Sequence, residues 1–109
     1  MKPVMFRGVA TALVTPFENG RVDYAGLARL VRYQISHGAD ALVIAGTTGE
    51  GPTLSAREKL NAISAAVEAA EGRVPILAGT GNNDTAASVR LSRLAAAAGA
   101  DGILAVAPY

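Results

Sequence analysis

The sequence predicts an α/β fold in which four buried strands alternate with three amphipathic helices. Short apolar runs, typical of strands that are buried on both faces, begin near residues 8, 41, 75 and 102. Each pair of runs is separated by a stretch with apolar residues at helical spacing. In addition, Gly-Ala-Asp at residues 38–40 recurs at residues 99–101, each time directly before a strand. A repeating unit of about 30 residues is typical of parallel strands that are joined by helical crossovers.

The first strand is predicted over residues 9–14, and a turn follows at residues 19–20. Asp23 then caps a helix that Gly38 ends. His37 lies at the C-terminus of this helix, where its partial positive charge would meet the negative end of the helix dipole. We therefore expect His37 to be a surface cap rather than a catalytic group.

The second strand, residues 41–44, leads into a glycine-rich loop over residues 45–54. Ser55, with Glu58 three residues later, predicts a capping box at the start of the second helix. Gly72 ends that helix. The loop is therefore a connection from a strand to a helix.

This glycine loop has the composition of a ligand-binding turn. Its glycines let the backbone approach a ligand closely, and Thr47 and Thr48 offer two hydroxyls and a run of free amides. Ligands of parallel α/β sheets bind beyond the carboxyl ends of the strands, where this loop is expected to lie. The loop therefore suits a small anion or a carboxylate, although a glycine-rich turn without a ligand has a similar composition.

The third strand is predicted over residues 74–78, and a second glycine loop follows at residues 79–85. This loop begins like a dinucleotide-binding fingerprint, but Asp84 stands where the third glycine is needed, so dinucleotide binding is set aside. The third helix is capped within residues 83–85 and ends at Gly99. The fourth strand is predicted over residues 102–109.

The composition excludes several classes of function. The chain has 109 residues, no cysteine and one histidine, which argues against disulfides and against a zinc site. Its net charge is +1, with basic and acidic residues scattered along the chain, so nucleic acid is an unexpected partner. No apolar run approaches the roughly 20 residues of a membrane span, and the N-terminus lacks the apolar core of a secretory signal. We expect a cytoplasmic protein without a metal or cofactor.

The repeating unit alone leaves two architectures open. Four parallel strands can form half of a (β/α)₈ barrel or most of a doubly wound sheet. In the second case the chain would be a flavodoxin-like module that binds a phosphorylated ligand at its glycine loops.

Four motifs, in order along the chain, resemble one family of enzymes. They are Gly-Val-Ala-Thr-Ala-Leu-Val-Thr-Pro-Phe at residues 8–17, Gly-Thr-Thr-Gly-Glu at residues 46–50, Ala-Gly-Thr-Gly at residues 78–81 and Ala-Pro-Tyr at residues 107–109. The sequence resembles the family of dihydrodipicolinate synthase and N-acetylneuraminate lyase, whose members are class I aldolases. This resemblance implies that residues 1–109 are the N-terminal half of a (β/α)₈ TIM barrel, with strands 1–4 and helices 1–3.

The resemblance also implies a reaction and a substrate. In the synthases of this family, pyruvate forms a Schiff base with a lysine on the sixth strand and condenses with aspartate semialdehyde on the route to diaminopimelate and lysine. Thr47 would supply a hydroxyl of the proton relay, and Thr48, with the amides of both threonines, would bind the pyruvate carboxylate. The Thr-Thr pair favours a synthase over a sialic acid or sugar-acid lyase, which is the alternative within the family.

The same resemblance assigns roles to residues outside the threonine pair. Asn83 and Tyr109 match positions of the pocket that binds lysine in feedback-inhibited synthases. Glu50 is expected to hydrogen-bond the loop backbone. The Schiff-base lysine is absent from the 109 residues, and the two lysines present, Lys2 and Lys59, are expected to be solvated surface charges.

Two further expectations follow from this resemblance. Without the Schiff-base lysine, we expect the 109 residues alone to be inactive. The family forms homotetramers, and half a barrel would leave two strand edges free, so we expect the chain to associate with itself.

Overall fold

The computed structural model describes residues 3–107. Its elements are, in chain order, β1 (Ala10–Ala12), β2 (Phe17–Glu18), β3 (Arg21–Val22), α1 (Tyr24–Ser36), β4 (Ala41–Ile44), a 3₁₀ turn (Gly51–Thr53), α2 (Ala56–Ala70), β5 (Ile76–Gly79), α3 (Thr85–Ala97) and β6 (Gly102–Leu104). The three predicted helices and the four predicted parallel strands are all present. β1 and β6 are shorter than expected, and the last two residues of the predicted fourth strand, 108–109, lie outside the described residues.

One element was not predicted. The strands β2 and β3 pair antiparallel around residues 19–20, where the sequence indicates only a turn. Asn19 and Gly20 both have positive φ, 54° and 78°, as the central residues of a tight hairpin turn require. Each strand of this hairpin has two residues, which is too short to show a hydrophobic period.

The order of the parallel strands distinguishes the two architectures that the sequence left open. The order is β1-β4-β5-β6, and every neighbouring pair is parallel. A doubly wound sheet reverses its strand order at a switch point, whereas these strands follow one another in chain order. The helices also lie side by side, with α1 packed on α2 and α2 packed on α3. This is the arrangement of half of a (β/α)₈ barrel, and the flavodoxin-like alternative is wrong.

The hydrophobic core lies between the central strands and the helices. Leu42 and Ile44 of β4 and Ile76 of β5 are at most 1% exposed. They belong to one cluster with residues of α1 and α2, among them Leu27, Val31, Ala62, Ile63 and Ala66. The outer strands are less covered, and the large apolar residues exposed at or beside them are Val9, Val14, Ile103, Leu104 and Val106.

The repeated Gly-Ala-Asp sequence has a structural reason. The Asp40 carboxylate accepts a hydrogen bond from the Val9 amide at 2.8 Å, and the Asp101 carboxylate accepts one from the Ile76 amide at 2.9 Å. In both cases the backbone amide of the aspartate donates to the carbonyl of the same residue at 2.9 Å. Each aspartate therefore fastens the start of its own strand to the start of a neighbouring strand.

The predicted helix caps are confirmed. The Asp23 carboxylate accepts a hydrogen bond from the Gly26 amide, and Ser55 and Glu58 form the complete capping box. His37 is the exposed C-terminal cap of α1, and its Nδ1 lies 2.8 Å from the carbonyl oxygen of Tyr33. Within residues 3–107, no helix combines the length and the apolar character needed to cross a bilayer.

Candidate active site

The two threonines that the sequence singles out lie where the second parallel strand ends. Thr47 and Thr48 follow Ile44, the last residue of β4, by three and four positions, and both are exposed. Within residues 3–107 neither hydroxyl makes a hydrogen bond. Thr47 lines a small cavity of about 50 Å³ that also touches the ends of the neighbouring strands through Gly79 and Leu104. Both side chains are therefore available to a ligand at the carboxyl edge of the sheet.

The loop that carries them is closed by its own backbone. The Glu50 amide donates to the Thr47 carbonyl at 3.0 Å, and the Gly51 amide donates to the Gly46 carbonyl at 3.0 Å. Ala45 and Glu50 both adopt the left-handed conformation, with φ of 59° and 60°. Non-glycine residues occupy this region uncommonly, and such strain is often found at binding sites.

The role predicted for the Glu50 side chain is wrong. Its carboxylate is exposed and makes no hydrogen bond to any residue in the range 3–107. The backbone of Glu50 takes part in the loop instead, because its carbonyl accepts a hydrogen bond from the Thr53 amide at 3.0 Å.

Close packing against a neighbouring strand fixes the position of the loop. A Cβ atom at Gly51 or at Gly79 would overlap the carbonyl oxygen of Ala45, the first residue of the loop. The Ala45 carbonyl is thus enclosed by two glycines, one from the loop and one from the end of β5. Glycine is required at both positions because only a hydrogen atom fits there.

A further contact, which the sequence did not indicate, holds the loop from the other side. The buried hydroxyl of Thr15, after β1, donates to the Gly49 carbonyl at 2.6 Å. Thr15 therefore joins the first strand to the glycine loop across 34 residues of sequence. No local pattern identifies such a partner, because the contact depends on how the strands are paired.

The expectation that Lys59 is a solvated surface charge is wrong. Its side chain is only 6% exposed, and it lines the same small cavity as Thr47. Helical side chains lean toward the N-terminus of their helix, so the long Lys59 side chain reaches back over the glycine loop that precedes α2. No carboxylate of residues 3–107 lies within ion-pair distance of its ammonium group. The other lysine, Lys2, lies outside the described residues.

Lys59 also borders two larger cavities next to the second glycine loop. One, of about 200 Å³, is lined by Pro52, Leu54, Lys59, Gly81, Asn82, Asn83 and Val106. The other, of about 180 Å³, shares Leu54, Lys59 and Asn82 with the first and adds Ala56, Ala87, Arg90, Leu91 and Leu94. The structure thus places Asn83 in a cavity with Lys59, while Tyr109, its predicted neighbour, lies outside the described residues.

Comparison with known proteins places these features in a family. Residues 5–109 match the model of the dihydrodipicolinate synthetase family. Over 105 residues the chain is 50% identical to the 4-hydroxy-tetrahydrodipicolinate synthase of Geobacter metallireducens. This match covers 96% of this chain and 36% of that relative. The chain therefore spans about a third of the length of the curated relatives it matches.

Solved structures give the same result. The crystal structure of dihydrodipicolinate synthase from Aquifex aeolicus superposes with a TM-score of 0.92 at 46% identity, over 95% of this chain and 36% of that one. The synthase from Cyanidioschyzon merolae, solved with lysine bound, superposes with a TM-score of 0.90 at 38% identity, over 93% of this chain and 35% of that one.

Proposed function

The chain belongs to the dihydrodipicolinate synthetase family, and on that premise we propose that it is the pyruvate-binding part of a Schiff-base aldolase of the 4-hydroxy-tetrahydrodipicolinate synthase type. The observation that carries the proposal is the placement of Thr47 and Thr48, which are both exposed just after the end of β4, with Thr47 lining a cavity there. The names of the relatives support the same reaction class.

In this proposal, Thr48 and the two threonine amides bind the carboxylate of pyruvate. Backbone amides and a hydroxyl hold a carboxylate without adding a group that titrates near neutral pH. The loop hydrogen bonds and the enclosed Ala45 carbonyl fix these donors before the substrate arrives. Such preorganised donors orient the keto carbon toward the attacking amine.

Thr47 has a separate role in the proposal. Formation and dehydration of the carbinolamine each require protons to move, and a hydroxyl can both accept and donate one. The Thr47 hydroxyl makes no hydrogen bond within residues 3–107, so it is free to join a relay with groups from the rest of the site. In the family the Schiff-base lysine is on the sixth strand of the barrel, beyond the four parallel strands described here.

The proposal extends to assembly and location. The apolar residues exposed at β1 and β6, among them Val9 and Leu104, would be covered by further strands of a closed barrel or by another copy of the chain. A homotetramer in the cytoplasm is the form that the family relationship favours.

A chimera tests this function directly. Residues 1–109 would replace the matching segment of the Geobacter metallireducens synthase, and condensation of pyruvate with aspartate semialdehyde would be measured. Thr47→Val should lower kcat by about 10²-fold or more, the range of general acid–base contributions. Thr48→Val should raise KM for pyruvate by about tenfold, the loss of one hydrogen bond to a charged group.

The matched control for both variants is Thr53→Val, in the same loop. The Thr53 hydroxyl is exposed and bonds only the Glu50 carbonyl within the described residues. We expect this variant to change kcat and KM less than about twofold, since an exposed hydrogen bond is readily replaced by water. A folded chimera that is inactive, or one in which the three variants behave alike, would overturn the proposed function.

A further inference from the structure

Among residues 3–107, the Thr15 hydroxyl is the one donor to the Gly49 carbonyl. Thr15 is only 5% exposed, and its hydroxyl lies 2.6 Å from that carbonyl oxygen. Gly49 is buried as well, and a Cβ there would lie 3.0 Å from the Leu13 carbonyl oxygen and 3.1 Å from the Thr15 hydroxyl. Because the contact is packed in this way, water does not readily replace the Thr15 hydroxyl when it is removed.

The Gly49 carbonyl begins a chain of hydrogen bonds that ends at the Thr48 amide. The Gly49 carbonyl and the Glu50 amide belong to one peptide group, and the Glu50 amide donates to the Thr47 carbonyl at 3.0 Å. The Thr47 carbonyl and the Thr48 amide belong in turn to the next peptide group of the chain. Within residues 3–107 the Thr48 amide has no acceptor, so this last donor is left for a ligand.

Such a chain strengthens its last donor. A hydrogen bond to the carbonyl of a peptide group polarises that group, and its N–H then becomes a better donor. The Thr15 hydroxyl polarises the first peptide group, which polarises the second, which presents the Thr48 amide. Each bond also fixes the plane of its peptide group, so the same contacts set the direction of the Thr48 N–H.

We propose that Thr15 is a positioning residue for the pyruvate carboxylate, whose binding it strengthens through two peptide groups without touching the substrate. This inference rests on the function proposed above and adds to it a residue from the segment after β1. Loss of the Thr15 hydroxyl should weaken the contact of the Thr48 amide with the carboxylate, while the threonine pair itself keeps its side chains.

A second chain in the same loop provides a control. It starts at Thr53, which donates to the Glu50 carbonyl, and it ends at the Thr47 amide. The Gly51 amide continues it by donating to the Gly46 carbonyl at 3.0 Å. The Glu50 carbonyl accepts both the hydroxyl and the amide of Thr53, each at 3.0 Å. Removal of the Thr53 hydroxyl therefore leaves this chain complete, whereas the first chain has one starting donor.

Amide resonances of the isotopically labelled protein test the chain without substrate. Thr15→Val has nearly the same shape as threonine and lacks the hydroxyl, so the amide protons of Glu50 and Thr48 should move upfield as their polarisation falls. Thr15→Ser keeps the hydroxyl and should leave both resonances close to their original positions. Unchanged Glu50 and Thr48 resonances in Thr15→Val would overturn the proposal. If Thr15→Val does not fold, Thr15→Ala replaces it with the same expectations.

The matched control for loss of a buried hydroxyl is Thr80→Val. Thr80 is fully buried, and its hydroxyl lies 2.7 Å from the Ser92 hydroxyl, so this variant loses a buried hydrogen bond at a different loop. Its Glu50 and Thr48 resonances should stay in place. Shifts as large as those of Thr15→Val would show general loosening of the structure and would refute the chain.

Kinetics of the chimera test the consequence for the substrate. Thr15→Val should raise KM for pyruvate by about three- to fivefold and change kcat less than about twofold, because it weakens a bond to a charged group and leaves the relay hydroxyl in place. KM for aspartate semialdehyde should also stay within about twofold, since only uniform binding of pyruvate is lost. Thr15→Ser, Thr53→Val and Thr80→Val should each leave KM for pyruvate within about twofold of the parent.

The two measurements separate this inference from the function on which it rests. An active chimera in which Thr48→Val raises KM for pyruvate and Thr15→Val does not would overturn the role of Thr15. An equal rise in Thr80→Val would overturn it as well. An inactive chimera would refute the proposed function, and with it the role of Thr15 toward pyruvate, whereas the amide resonances decide on the chain in either case.

Discussion

Replacement of Gly79 by alanine tests whether the packing of the glycine loop sets its function. A Cβ at this position would lie 2.6 Å from the carbonyl carbon of Ala45 and 2.8 Å from the Cα of Gly46. Carbon atoms in contact are ~3.5 Å apart or more, so the loop would have to move by about 1 Å. The atoms that obstruct are backbone, which cannot rotate away as a side chain can.

Two effects of different kind should follow from Gly79→Ala. Overpacking of a close contact costs about 1–3 kcal/mol, which for a chain of this size lowers Tm by about 10 °C. In addition, displacement of Thr47 and Thr48 by about 1 Å should lower kcat/KM for pyruvate in the chimera by about 10²-fold. Thermal unfolding and the condensation assay measure the two effects separately.

The matched control is Gly72→Ala, beyond the end of α2. Gly72 has a φ of +72° and nothing within 4 Å of the position of its Cβ, so alanine there introduces strain without a clash. A residue with a side chain in the left-handed region costs about 1–2 kcal/mol, which matches the stability loss without touching the loop. Gly72→Ala should therefore lower Tm and leave kcat/KM unchanged. The reasoning fails if both variants lower kcat/KM alike, or if Gly79→Ala keeps full activity.

Three further predictions concern the strand starts, the response to lysine and the chemistry of the isolated chain. Asp101→Ala should lower the free energy of unfolding by about 1–2 kcal/mol in denaturant titration, because it leaves the amide of Ile76, a residue 1% exposed, without its acceptor. Asp40→Ala should cost less than half as much, because Val9, whose amide loses its acceptor there, is 64% exposed. Equal losses would contradict this account of the repeated aspartates. The chimera should keep most of its activity in millimolar lysine, since the cavities beside Lys59 are lined by no carboxylate of residues 3–107 that could pair with the amino groups of that effector, and strong inhibition would refute this. Borohydride reduction of the 109-residue chain with pyruvate should leave no adduct, since we assign the Schiff base to a later strand, and a mass increase on Lys59 would contradict that assignment.

Local sequence patterns predicted the elements whose causes are local. The capping box of α2 depends on Ser55 and Glu58, three residues apart, and the C-terminal cap of α1 depends on His37 and the turn before it. The glycine loop was placed correctly because a buried strand and a helix cap enclose it in sequence. Such features involve neighbours along the chain, which is why a pattern can identify them.

Features that depend on residues distant along the chain could not be predicted from local sequence patterns. Lys59 lies near other charged residues in the first turns of α2, which indicates a surface position, yet it is buried beside a cavity that it shares with the glycine loop and Val106. The sequence indicates that Thr15 is only the polar end of a strand, yet its hydroxyl donates a hydrogen bond to the Gly49 carbonyl, 34 residues away. The choice between a half barrel and a doubly wound sheet likewise depends on strand order, which the spacing of apolar runs does not contain.

The central claim is that the amides and hydroxyls of Thr47 and Thr48 bind the carboxylate of a keto acid. Titration of the isotopically labelled protein with pyruvate, followed through the backbone amide resonances, tests it most directly. We predict saturable shifts at the amides of residues 46–51, larger than those at residues 99–101 at the opposite end of the sheet. Resonances at residues 47 and 48 that do not move at saturating pyruvate, or that move equally with acetamide, would contradict the claim.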